Sequence, residues 1–324
     1  MKKISFSLIV AVGLFTSAST SKAELVLVSA PTGDPVPSSI PSKGLVGYLP
    51  LDSNTIDVVN SNNNGVIVGT VYPTTDRFGR PNSAYSFTGT NVSPPDFYPH
   101  PLTSQVVASN SAIFTQVTNS FSISFWFKAN LGNNLGDETT WNTYGKQGYT
   151  QSFVIFGQGG DTNTSGIFIA AGTNGVSVVE GGSSYFPVVL SYTNNKLGTK
   201  WNHAVVTCHN NSAPVLYING KRAKRGLNTG RKKIASLYSY GRKVYGPNNI
   251  SEPQNVGGIG GGIYGSFNGS LDQIALYNRA LMPKEVASIF SNSIIGIEGA
   301  IYYDAVGKHF WGYTGDSGWK QLDN

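Results

Sequence analysis

The chain is short of the residues that cross-link, ionise or span a bilayer. It has one cysteine, Cys208, so no disulfide can form within it. Cys208 ends the alternating run His203 to Cys208 and is expected to be a small core residue rather than a reactive thiol. Charged residues are 12% of the composition, about half the usual share. The four histidines are scattered: His100 in a loop, His203 and His209 bracketing a strand, His309 further on. No Gly-x-Ser-x-Gly nucleophile turn occurs, and no Glu-x-Asp-x-x-Glu pair of alternating acids. Helical heptads are nearly absent. After residue 15 no apolar run is long enough to cross a membrane, so no membrane anchor is expected.

What is abundant points to strands. Thirty-nine glycines and seventeen tyrosines accompany many Asn, Ser and Thr. Lys2 and Lys3 precede the apolar run Ile4 to Leu14, and Ser21-Lys22-Ala23 has the small-x-small form of a cleavage site. Residues 1–23 therefore read as a secretory signal and the protein as secreted. Residues 24–43 hold four prolines and read as a linker. Short strands are expected at 44–51, 66–71, 83–87, 120–129, 152–156, 166–171, 175–180, 186–191, 203–208, 214–218 and 270–277, with a Pro- and Asn-rich loop over 89–111. In SFSISFWFKA, Phe121, Ile123, Phe125 and Phe127 share one face. Strict alternation in 270–277 puts Asp272 on the face of Ile274 and Leu276. Asn219-Gly220 signals a tight turn, and Pro283 to Asn292 is the one helical stretch, with Pro283 at its first position. The fold class is all-β, a sandwich of two antiparallel sheets.

Charge is unevenly placed. From Gly181 to Ser251 there are eleven Lys and Arg and no Asp or Glu, whereas acids outnumber bases over the rest of the chain after residue 23. The basic segment carries Lys221, Arg222, Lys224, Arg225, Arg231, Lys232, Lys233, Arg242 and Lys243, interleaved with Tyr238, Tyr240 and Tyr245. Arginine forks suit sulfate, phosphate and carboxylate groups, and tyrosine faces suit sugar rings. These twelve residues are the candidate contact surface for an acidic glycan. The competing expectation is a solvated loop that aids solubility. Nucleic acid fits the charge but not the export signal, so no nucleic-acid partner is expected.

Five stretches occur in one order: GLVGYLPLDSNTIDVVNSNNNGVIVGT, DRFGRPNSAYSFTG, FSISFWFKA, KWNHAVVTCHNNSAPVLYINGKRA and FNGSLDQIALYNRALMPKEVASIF. Together they resemble the concanavalin A-like laminin G family of jelly-roll sandwiches. The resemblance implies one jelly-roll domain over 44–294. It also implies a structural calcium ion at the rim, for which Asp57 and Asp272 are the matching carboxylates. Gln273 stands where the family often has a second acid. Relatives that bind acidic glycans use basic patches, which agrees with the segment above. YGKQGYTQ, residues 144–151, is similar to a strand of sandwich-fold alginate lyases, but its spacing is one residue short and its partner strands are missing.

Residues 295–324 form a separate piece whose aromatics, Tyr302, Tyr303, Phe310, Trp311, Tyr313 and Trp319, are divided by glycine turns. It is similar to short tails of bacterial surface and phage-fibre proteins and reads as a small β meander, too small to be stable alone. Docking or oligomerisation through it is expected. The function expected from the sequence is a non-catalytic carbohydrate-binding or adhesion protein without catalytic residues. The alternatives are a polysaccharide-degrading enzyme on the same fold and a structural cell-surface component.

Overall fold

The computed structural model describes residues 36–61, 64–89, 104–108, 117, 119–141, 152–156, 163–181, 187–233, 267–292, 301–304, 308–313 and 319–323. In chain order the strands are β1 (Leu45–Leu49), β2 (Gly65–Gly69), β3 (Val71–Thr74), β4 (Ala84–Thr88), β5 (Ser104–Ala108), β6 (Phe121–Ala129), β7 (Ser152–Phe156), β8 (Thr164–Gly172), β9 (Gly175–Gly181) and β10 (Val188–Thr193). There follow β11 (Asn202–Cys208), β12 (Val215–Ile218), β13 (Lys221–Arg225), β14 (Lys232–Lys233) and β15 (Asn268–Tyr277). The helix α1 (Pro283–Asn292) precedes β16 (Ile301–Asp304), β17 (His309–Tyr313) and β18 (Trp319–Gln321).

Eight strands make the larger sheet, in the order β13-β12-β11-β6-β15-β4-β3, with β1 also paired to β15. Five make the smaller one, β10-β9-β8-β14 with β7 on β8. All pairings are antiparallel except β14 with β8. β2 pairs with β5, which lies inside the stretch expected to be loop, and β16–β18 form the expected meander.

Alternation along β6 fills two cores. Phe121, Ile123, Phe125 and Phe127 enter the core between the sheets with Val176, Val178, Ala204, Val206 and Leu276. Each such side chain adds roughly 1.5–3 kcal/mol of transfer free energy. Ser122, Ser124 and Trp126 face the other way, yet they too are buried. A second core lies on that outer face, where Val286 and Ile289 of α1 pack with Tyr48, Val205, Tyr217 and Tyr277. Ile40 joins it at 5% exposure, so the packed unit reaches back into the stretch expected to be linker.

Local chemistry holds α1 there. Glu285, the third helical residue, accepts the Met282 N–H at 2.8 Å, half of a capping box. The same carboxylate takes a two-armed hydrogen bond from Arg279 at 2.7 and 2.8 Å, which fixes the helix to the end of β15 and lowers the Glu285 pKa.

Candidate functional site

β12 and β13 are joined by Asn219 and Gly220, both at positive φ (49° and 76°), the turn that the Asn-Gly pair predicts. The cation run is therefore a strand. It sits at the edge of the larger sheet, with Val215↔Arg225 and Ile218↔Lys221 in register. Lys221, Arg222 and Arg225 are exposed and form no ion pair among the described residues. Ala223 packs on the core, and Lys224 is partly withdrawn: its Nζ donates to the Ser191 carbonyl at 2.7 Å and lies 2.9 Å from Glu138 Oε1. Arg231 is half-buried and Lys232 exposed.

Lys233 does not belong to this surface, contrary to expectation. Its side chain is fully buried, with Nζ 3.1 Å from Glu180 Oε1. β14 runs beside β8, so alternation sends Lys232 outward and Lys233 inward. Thr229 Oγ1 donates to the other Glu180 oxygen at 2.6 Å, and the Leu227 N–H donates to the Val189 carbonyl at 2.7 Å. The segment that follows β13 is thus pinned to the smaller sheet. Tyr238, Tyr240, Arg242, Lys243 and Tyr245 lie outside the described residues, as does 144–151.

A second polar assembly was not foreseen as a unit. β15 pairs through 268–271 with β4 and through 274–277 with β1, and its register against β6 shifts between Asp272 and Ala275. Gln273, at φ 45°, is the extra residue of this bulge. The bulge corrects the expected facing of Asp272. Asp272 pairs with Trp126 on the outer face, while Ile274 and Leu276 enter the inter-sheet core.

Asp272 is fully buried and forms an ion pair with Arg77 Nη1, while Arg77 Nη2 donates to Gln273 Oε1 at 2.9 Å. The guanidinium carbon lies 4.3 Å from the Phe78 ring centroid and 4.7 Å from that of Trp126. Asp76 accepts the Phe78 and Arg80 N–H groups at 2.8 Å, holding the turn that presents Arg77. Arg80 Nε donates to Asp76 at 2.7 Å and its Nη2 lies 3.6 Å from Asp52. Burial raises the Asp272 pKa to about 8; Arg77 opposes the rise, and Asp76 and Asp52 reinforce it. Beside this cluster His203 Nε2 and Ser124 Oγ are 2.8 Å apart, under Phe290. Burial, then Arg77, lowers the His203 pKa to about 3. This resembles a nucleophile and its base, but Ser124 and His203 are 2% and 1% exposed and no substrate reaches them.

The residues expected to hold calcium do not fit it. Asp57 Oδ1 accepts three backbone N–H groups, from Tyr48, Val59 and Asn60, at 2.9–3.2 Å. Asp272 Oδ2 already faces a guanidinium, and its Oδ1, though buried without a hydrogen-bond partner, is a single oxygen where calcium takes about six to eight. Among the described residues no group of three or more His, Cys, Asp or Glu is placed to hold a metal ion.

A sequence profile described as "Concanavalin A-like lectin/glucanases superfamily" matches residues 102–287, over half of the chain. No protein of curated function matches it in sequence. Among solved structures, domain 4 of AbnA, a GH43 extracellular arabinanase from Geobacillus stearothermophilus in complex with arabinotriose, overlaps at TM-score 0.45 and 17% identity, covering 76% of this chain and 97% of that one. A botulinum neurotoxin type C structure, concerned with cell entry through two ganglioside molecules, overlaps at 0.45 and 17%, covering 78% and 52%. The binding domain of Paraclostridial Mosquitocidal Protein 1 gives 0.49 and 16%, covering 83% and 63%. The chain thus spans about half the length of the neurotoxin chain it overlaps.

Proposed function

Since this chain belongs to the concanavalin A-like lectin/glucanases superfamily, we propose that it is an exported, non-catalytic binding protein for acidic glycans that makes contact through β13. One observation carries the reading. Among the described residues Lys221, Arg222 and Arg225 stand exposed and have no ion-pair partner, on a strand braced from both ends by the Asn219-Gly220 turn and by the buried Lys233. Cations held in this way meet sulfate or carboxylate groups without first losing a protein partner or the freedom of a loop. The described carboxylates that the fold gathers, Asp52, Asp76 and Asp272, are buried against two arginines, which leaves them no route to a scissile bond.

Charge on an edge strand also guards against pairing with another sheet, and either sign serves that purpose. Reversal therefore separates the two roles. The triple variant Lys221→Glu, Arg222→Glu, Arg225→Glu is expected to keep the wild-type Tm and monodispersity but to lose retention on immobilised heparin and alginate. Wild-type retention is expected to fall steeply as salt is raised. Retention unchanged by the reversal would overturn the assignment to β13.

Trp141, 80% exposed, is placed to add a stacking surface. Its backbone N–H donates to Thr139 Oγ1, and the Thr139 backbone N–H donates to the Val188 carbonyl, both at 2.9 Å. Glu138, next to Thr139, meets Lys224 of β13. The backbone that carries the exposed indole is thus tied to the edge of the smaller sheet that β13 approaches. Trp141→Ala is expected to weaken glycan retention while leaving its salt dependence unchanged, read by elution position at several salt concentrations.

A further inference from the structure

We propose that Arg77 is the resident cation of this domain: its guanidinium occupies the position, against buried Asp272, that the family resemblance assigns to calcium, so the fold needs no metal. Three observations support this independently of any glycan. Both arms of the fork are used, one on Asp272 and the other on Gln273, the residue standing where relatives often have an acid. A neutral amide suits a guanidinium already paired with one carboxylate, whereas a second carboxylate there would add charge that Arg77 alone could not balance. The guanidinium is also enclosed, over the rings of Phe78 and Trp126, and its side chain is 5% exposed. Contact with aromatic rings suits a weakly hydrated planar cation better than a strongly hydrated metal ion. Lastly, the bulge at Gln273 creates the opening. Where β15 passes from β4 to β1 neither strand covers Asp272, and the Gln273 N–H reaches the Pro50 carbonyl instead. The turn carrying Arg77 closes over that gap, with Arg80 compensating Asp76 and Asp52 beside it.

Thermal unfolding of the full chain tests this. Wild-type Tm is expected to be the same in EGTA and in millimolar calcium chloride; a calcium site filled to about 100 times its Kd would raise Tm by several degrees and overturn the proposal. Arg77→Gln is expected to lower Tm strongly. Arg77→Gln combined with Asp272→Asn is expected to recover part of that loss, because the carboxyl left without its cation is then removed. Arg77→Gln as stable as wild type, or additive losses in the double variant, would also overturn it. Should Arg77→Gln fail to fold, Arg77→Lys keeps the charge and loses the fork. It is expected to fold and to unfold at a lower temperature than wild type while remaining indifferent to calcium, whereas a wild-type Tm or a calcium-dependent Tm in that variant would count against the proposal.

Discussion

Glu180→Ala is expected to destabilise the protein by about 3–5 kcal/mol, since it leaves the Lys233 ammonium buried without its carboxylate. The loss is not that of a surface ion pair, because both side chains are fully buried. Thr229 loses its acceptor at the same time, and with it a second tie on the segment that follows β13. Glu180→Gln keeps an oxygen for Thr229 and is expected to cost less, yet it still strands the cation. Replacing both charges by Leu and Met is expected to restore most of the stability, since filling the same volume with apolar atoms removes the desolvation cost on both sides. Denaturant unfolding measures all three. Cys208 supplies a local readout. Burial pushes its thiol up to about 12, with Lys233 and Glu180 acting in opposite senses. It is the only cysteine, so labelling by a thiol reagent reports opening of this end of the core without interference. Wild type is expected to resist labelling, and Glu180→Ala to label much faster under native conditions. A variant that labelled at the wild-type rate and lost less than about 1 kcal/mol would show that the pair is not an anchor.

What the sequence made legible was local. Alternation in 120–129 identified β6 and its inward face, Asn219-Gly220 identified the hairpin turn, and Pro283 with Val286 and Ile289 identified α1 within its observed bounds. Each of these signals lies within a few residues of the structure it specifies. β5 was missed because its stretch is set among prolines and asparagines and owes its strand state to pairing with β2. β13 was read as bare charge because Lys and Arg have low strand propensity, and a tight turn overrides that when the preceding strand is fixed. The fate of individual charges was not legible at all. Lys232 and Lys233 are neighbours of one type, and only the position of β14 beside β8 decides which meets water. Asp272 was placed on the wrong face because strict alternation has no provision for a bulge. That bulge depends on where β4 ends and β1 begins, information held far away in the chain. The same holds for Arg77, whose partner is contributed by β15.

The sealed cluster under α1 is expected to give a plateau of stability between about pH 3.8 and 6.5, falling on both sides, because two buried groups there have pKa values moved in opposite directions. His203 is lowered from 6.5 to about 3, so the folded chain resists taking up a proton that the unfolded chain accepts. Its contribution is complete above 6.5 and is lost as pH falls, at roughly 1.4 kcal/mol per pH unit. Asp272 is raised from 3.8 to about 8, so the folded chain keeps a proton that the unfolded chain releases. Its contribution is complete below 3.8 and is lost as pH rises towards 8, with the same slope. Between 3.8 and 6.5 the two slopes cancel. From 6.5 to 8 only the Asp272 slope remains, and below 3.8 only that of His203. The charged and titratable neighbours of Asp272 are Arg77, Arg80, Asp76, Asp52 and Tyr48, and the charge that acts on His203 is Arg77. Asp272→Asn is expected to flatten the alkaline limb relative to wild type and leave the acid limb in place; His203→Gln is expected to do the reverse. Urea unfolding across the pH range reads both. If Asp272→Asn left the alkaline limb unchanged, Asp272 would have to be ionised throughout, held so by Arg77 against the full cost of burial. The ion pair with Arg77 would then be complete across the whole range, whereas a carboxyl raised to about 8 completes it only above that pH.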